Sequence, residues 1–314
     1  MLTYRSTRAK AAVAGLAFLG LAAAGCSSAG SSSSSAPAAS SGGSSPAASA
    51  SSAPTGSGPV NVLYAGSLVD MMTKQVGPAF QQATGYSVTG ESAGSKALAT
   101  DIKGKVYKGD VFISASPSAN DPITGAANGG WVSWYAAYAT SGLVLGYNPN
   151  SKFAADIKSK PWYKAITEPG VKVGFTDPAT DPKGALTAEA LTDTAKSENL
   201  PALSALAANK GDVFPEENLV ARLQSGQLDA GFFYNSEAVA AKVLTVPLTG
   251  VSLKATYTVT ILKGAPNEAG AEAFVSYLLG PSGQAVLKQD GFTLVSPPAV
   301  TGSGVPSGLQ SLLS

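Results

Sequence analysis

Apolar positions fall into three regimes along the chain. Residues 1–10 are polar and basic, and residues 11–24 form an unbroken run of small apolar residues and Leu. Residues 27–58 are almost pure Ser, Ala, Gly and Pro, without one charge. From Pro59 onward, short apolar runs alternate with stretches whose apolar residues return at helical spacing. Residues 60–64 read as a strand, and Leu68, Met71, Met72, Val76 and Phe80 then mark a helix that stops at Gly85. Residues 86–89 read as a second strand, 96–102 as a helix and 110–114 as a third strand. Repeated strand-turn-helix units predict parallel strands with crossover helices.

A second set follows. Residues 131–149 suit a long strand or strand pair, 171–175 a strand, 184–195 and 219–228 helices, and 230–234 a strand. Residues 251–262 alternate like a strand, and 268–288 read as one or two helices. Two α/β lobes fit this order, with the chain crossing near Thr140 and again near Leu253. The expected division is 59–140 with 254–314 in one lobe and 141–253 in the other. No internal repeat is visible.

The N-terminal regimes are an address and a tether. A basic start, a short apolar run and small residues at 23–25 describe a secretion signal over 1–25. A membrane-spanning helix needs roughly 20 apolar residues, and this run is shorter. The only Cys of the chain, Cys26, directly follows the small residues, as in a bacterial lipobox, where the Cys is lipid-modified and becomes the mature N-terminus. Ala23 stands where Leu is commoner. Residues 26–58 have too little apolar surface to offset chain entropy and are expected to be a disordered tether. Its 32 residues from Ser27 span roughly 30 Å. The expected location is therefore extracytoplasmic, lipid-anchored to the outer face of the cell membrane.

Composition removes several function classes. The 314 residues include no His and one Cys, which excludes Ser-His-Asp and Cys-His chemistry, His-ligated zinc, internal disulfides and CxxC motifs. Outside residues 1–58 there are 18 basic and 20 acidic groups, a net charge of −2 without a basic run, so nucleic acid is not an expected partner. There is no P-loop or GxGxxG in 59–314, and no His to serve as the base beside a nucleophile. An enzyme is not expected.

The candidate chemistry sits in the turns after strands. Ser67 and Ser95 each follow Ala-Gly where a helix begins. They are either ordinary N-caps or donors to an anion at a helix N-terminus. Two such turns in successive strand-helix units of one sheet come to the same edge. Asp181, in the turn 176–184, and the pair Glu216 and Glu217, at a helix start, are routine choices there or acidic site residues. Tyr234 ends a strand as a core residue or as a phenol facing a cleft. Trp131, Trp134, Tyr135, Tyr138, Trp162 and Tyr163 read as packing rather than a ligand cage.

In order, these blocks resemble the molybdate/tungstate-binding proteins of ABC importers, in their archaeal-type branch. The blocks are Tyr64-Ala65-Gly66-Ser67-Leu68, Ala93-Gly94-Ser95, residues 109–116, 174–184, 219–226 with Tyr234, and 280–284. The resemblance covers 60–300. It implies a two-lobed type II periplasmic-binding-protein fold, each lobe a mainly parallel sheet flanked by helices, with the ligand in the cleft. It further implies a monomer that hands its anion to a membrane permease and needs no cofactor besides that ligand. By the same resemblance, Ser67, Ser95 and Tyr234 would hydrogen-bond the oxyanion, while Asp181 and Glu216 would ligate the Mo or W centre. Glu216 matches when Leu223-Gln224-Ser225-Gly226 is aligned without gaps, and Glu217 lies one residue away. Asp177 replaces the family's Asn, and Lys183 follows Asp-Pro.

Charge bears on the choice of anion. A carboxylate about 4 Å from a dianion, at an effective dielectric of ~20, is repelled by about 8 kcal/mol. Sulfate offers no compensation, whereas a large hexavalent centre can accept carboxylate oxygens as ligands. The alternatives are a binder of sulfate, thiosulfate or phosphate whose acids point elsewhere, and a cation binder that uses those acids.

Overall fold

The computed structural model describes residues 55–314. The expected signal at 1–25, Cys26 and all but the end of the expected tether lie outside the described residues. Residues 55–58 are exposed, and Gly58 already begins the first strand. The strands are β1 (Gly58–Ala65), β2 (Tyr86–Thr89), β3 (Ser92–Ala93), β4 (Val111–Ser114), β5 (Trp134–Tyr147), β6 (Val173–Gly174), β7 (Ala230–Tyr234), β8 (Leu244–Pro247), β9 (Lys254–Ile261) and β10 (Thr293–Gly302). Their order is β2-β1-β4-β9-β5-β7-β6, with β3 beside β1 and both β8 and β10 beside β5.

This is a two-lobed α/β fold. The strand β5 serves both lobes, because its partners change between neighbouring residues. Gly142 still pairs with Lys254 of β9, whereas Leu143 pairs with Tyr234 of β7. Pairing is parallel for β1 with β2, β3 and β4 and for β6 with β7. It is antiparallel wherever β5 or β9 takes part. The sheets are therefore mixed rather than mainly parallel, since a chain that crosses between lobes and returns must run both ways.

Helices cover the sheets as their apolar spacing predicts, with instructive breaks. The region expected as one helix from Leu68 is a 3-10 turn (Gly66–Leu68), a helical turn (Val69–Met71), a π turn (Met72–Val76) and a helix (Gly77–Thr84). Pro78 has no N–H to close an ordinary turn, and the Gly77 N–H reaches back to Met72 O instead. Gly280 and Pro281 split the last helical region into Glu268–Leu279 and Pro281–Gln289. Trp134, Tyr138 and Trp162 are buried in the main core, so the aromatic group is packing. Among the described residues, no helix is long and apolar enough to cross a membrane.

Candidate functional site

The register between β1 and β3 sets the site. Tyr64 pairs with Ser92 and Ala65 with Ala93, so the two Ala-Gly-Ser turns leave one sheet edge side by side. Neither Ser is an N-cap. Gly94 occupies that position for helix Ser95–Lys103, without a side-chain cap, and Ser67 lies within the 3-10 turn. Both hydroxyls are buried. Ser67 Oγ is 3.0 Å from Tyr257 Oη, and Ser95 Oγ accepts the Ala115 N–H at 3.0 Å, which leaves its own hydrogen to donate.

Two of the helix N–H groups are already engaged. Thr180 O accepts from Lys96 N at 3.1 Å and from Ala97 N at 3.2 Å. The turns from the two lobes meet here at close quarters. A Cβ on Gly66 would lie 2.8 Å from Glu216 Oε2 and 2.9 Å from Glu216 Cβ. A Cβ on Gly94 would lie 2.7 Å from Thr180 O and 3.0 Å from Asp181 Cβ. Only glycine permits this approach.

Asp181 and Glu216 sit directly against those glycines. Asp181 caps helix Pro182–Ser197, its Oδ1 accepting the Lys183 N–H at 2.6 Å, while buried Oδ2 has no partner in the protein. Glu216 begins helix Glu216–Gln224 and is buried beside Leu219 and Leu223, whereas Glu217 is exposed. Neither Glu216 oxygen has a hydrogen-bond partner. Tyr234 ends β7, fully buried, with its Oη likewise unpartnered and its ring 6.0 Å from that of Tyr257. The five residues singled out in the sequence thus converge. A cleft of about 330 Å³ opens beside them, lined by Gly94, Thr176, Asp181, Glu216 and Glu217 among others.

Three buried groups complete the site and were not foreseen. Lys183 Nζ lies 2.7 and 2.8 Å from the two Glu237 oxygens and 3.4 Å from Glu216 Oε1. Tyr257, on β9, carries the hydroxyl that meets Ser67. One sequence signal existed for Lys183, as the single cation in a turn that holds Asp177 and Asp181. Glu237 and Tyr257 gave none.

Electrostatics follow from three carboxyls and one ammonium out of water. Burial pushes the Asp181 carboxyl up, and Lys183 opposes it. Burial, and then the charge of Asp181, push Glu216 well above the usual carboxylate range. Burial works against the charge of Lys183, but Glu237, Glu216 and Asp181 outweigh it and hold the ammonium above its ordinary range. Each orphaned buried oxygen costs about 1–3 kcal/mol. The arrangement therefore favours a ligand that accepts from hydroxyls and supplies partners to the carboxyl oxygens.

The profile described as "Bacterial extracellular solute-binding protein" matches residues 60–293. The chain belongs to that family. It is 31% identical over 229 residues to a putative ABC transporter molybdenum-binding protein of Haloferax volcanii, covering 72% of this chain and 68% of that one. It is 26% identical over 235 residues to the molybdate/tungstate-binding protein WtpA of Thermococcus kodakarensis, covering 58% and 66%. Among solved structures, the Azotobacter vinelandii periplasmic molybdate-binding protein superposes with a TM-score of 0.59 at 21% identity, over 75% of this chain and 99% of that one. That likeness is one of fold.

Proposed function

We propose that this solute-binding protein captures molybdate or tungstate outside the cytoplasm and delivers it to the permease of an ABC importer. The observation that carries this reading is the buried Asp181 Oδ2, which has no hydrogen-bond partner, together with the buried Glu216 carboxyl, which has none either and meets Lys183 Nζ at 3.4 Å. Ser67, Ser95 and Tyr234 donate to the oxyanion. Asp181 and Glu216 supply oxygen ligands to the metal centre, a role that hard oxygen donors fill. The exposure of Glu217 favours Glu216 over its neighbour. Two relatives named for molybdate, tungstate or molybdenum support the same ligand class.

In this reading 59–140 with 254–314 and 141–253 are the lobes that close on the anion, β5 and β9 being the strands between them. Cys26 carries a lipid anchor, and the protein works as a monomer without a resident cofactor. A cation as cargo fits poorly, because Lys183 already sits 2.7 Å from Glu237 and 3.4 Å from Glu216. Among the described residues no group of three His, Cys, Asp or Glu could hold a metal ion.

Calorimetry with molybdate, tungstate, sulfate, phosphate and ferric citrate tests the reading. Tight binding of molybdate or tungstate and weak binding of the others is the expected result. Preference for sulfate, phosphate or iron would refute it.

A further inference from the structure

The end of the molecule remote from this site carries a second feature. Residues 104–109, Gly-Lys-Val-Tyr-Lys-Gly, join helix Ser95–Lys103 to β4. The loop folds back on the helix, with the Lys105 N–H donating to Ile102 O and the Val106 N–H to Asp101 O. Lys105 adopts φ 58°, a left-handed conformation that helps turn the chain there. Val106 is left 63% exposed and Tyr107 37% exposed.

Lysines flank this apolar pair in the sequence. Lys103, Lys105 and Lys108 belong to the same stretch, which holds no acid from Ile102 to Gly109. Lys263 joins them from the end of β9, since Leu262 N–H donates to Asp110 O and Lys263 is exposed. None of the four forms an ion pair among the described residues, and Lys103 Nζ donates to Asn128 Oδ1 at 3.0 Å. The nearby acids are few. Asp101 and Glu268 lie at this end, and the Asp110 carboxylate is taken up by the N–H groups of Asn61 and Asn267.

The position matters as much as the charge. Val62 pairs with Val111, and Asp110 N–H donates to Asn61 O at 2.7 Å. The loop therefore lies level with the start of β1, where the chain arrives from residue 55, while the other end of β1 leads into the site. The described chain thus begins at the same end as these lysines, an exposed Val and an exposed Tyr.

We propose that this end of the domain, centred on Val106 and Tyr107, docks on an anionic lipid surface. Lys ammonium groups supply attraction to acidic headgroups, and Tyr with Val is suited to the headgroup boundary. The anchor reading for Cys26 adds to this, because a tether of roughly 30 Å would hold the loop near the membrane at high effective concentration. With the loop on the membrane, the cleft end points away from it. Membrane-docked and permease-docked domains would then present different ends.

The test uses the chain from Thr55 onward, whose described residues belong to one compact unit and which lacks Cys26. It is sedimented with phosphatidylcholine vesicles, with and without phosphatidylglycerol, at low and high salt. Binding to the mixed vesicles alone, weakened by salt, is expected. Each Lys near the surface is worth about fivefold in affinity, so Lys105→Glu with Lys108→Glu should reduce binding by about 25-fold or more. Val106→Ser with Tyr107→Ser should weaken it further at high salt. Equal binding to neutral vesicles, unchanged binding by the charge-reversed variant, or binding only to membranes that contain the permease would overturn the proposal. Since neither Cys26 nor molybdate or tungstate takes part in this test, failure here leaves oxyanion capture standing.

Discussion

Lys183 Nζ meets both carboxylate oxygens of Glu237, at 2.8 and 2.7 Å, with the lysine fully buried and the glutamate nearly so. The pair joins the helix that Asp181 caps to the helix that follows Tyr234, whose N–H also donates to Glu237. Two proposed ligand groups are thereby held in one frame. Lys183→Met should cost about 3–5 kcal/mol, because it strands buried carboxyls without their cation. Adding Glu237→Gln should recover part of that loss. Urea denaturation of the single and double variants checks both expectations, and additive losses would contradict them.

The hydroxyl groups separate stability from affinity. Tyr234 Oη has no partner in the protein, so Tyr234→Phe should leave the melting temperature unchanged or raise it. Ligand affinity should nevertheless fall about 10–150-fold, the value of one hydrogen bond to a charged group. Ser67→Ala should lose a similar factor. Ser95→Ala removes, in addition, the acceptor of the Ala115 N–H and should cost about 1–3 kcal/mol of stability. Calorimetry paired with thermal unfolding distinguishes the three.

Closure depends on two glycines. A methyl group at Gly66 or Gly94 would enter space held by Glu216 Cβ or Thr180 O, at 2.9 and 2.7 Å. Gly66→Ala and Gly94→Ala should therefore prop the lobes apart and weaken ligand binding. In small-angle scattering, the wild type should contract on adding tungstate and the variants should not. Equal contraction would argue against closure at these turns.

Glu216 makes stability depend on pH. A carboxyl whose pKa is raised by folding holds its proton more tightly in the folded state. Its contribution is complete below the ordinary value, near 4.5, and is lost as pH rises through the raised one. The ligand-free protein should lose stability from about pH 4.5 upward, and Glu216→Gln should flatten that fall. With no His in the chain, no imidazole titration overlies it. Parallel stability–pH curves for both proteins would contradict the assignment.

Much of the site is legible in the sequence because its parts are local. Ala-Gly-Ser twice, each before a helix, marks the two turns, whereas Glu216 with Leu219 and Glu217 with Val220 share one spacing, so only the fold separates the two acids. What pairs across the fold is not legible. Lys183 and Glu237 are 54 positions apart, and Ser67 and Tyr257 are 190 apart. No local pattern announces either pair. The strand β10 was hidden for a different reason. Pro297 and Pro298 remove ladder donors, and the register with β5 is interrupted between Leu294 and Ala299. The helix after Met72 misled in the opposite direction, since apolar spacing is preserved through a π turn that Pro78 imposes.

The central claim is that Asp181 and Glu216 bind the metal centre of the anion directly. The most direct measurement is the tungstate-to-sulfate affinity ratio in the wild type, Asp181→Asn and Glu216→Gln, with X-ray absorption counting oxygen neighbours around bound tungsten. Replacing an anionic oxygen donor by a neutral amide should lower tungstate affinity, while sulfate binding should hold or improve as repulsion is relieved. The account predicts a ratio that falls in both variants and a six-coordinate centre in the wild type. An unchanged ratio together with a four-coordinate centre would contradict it.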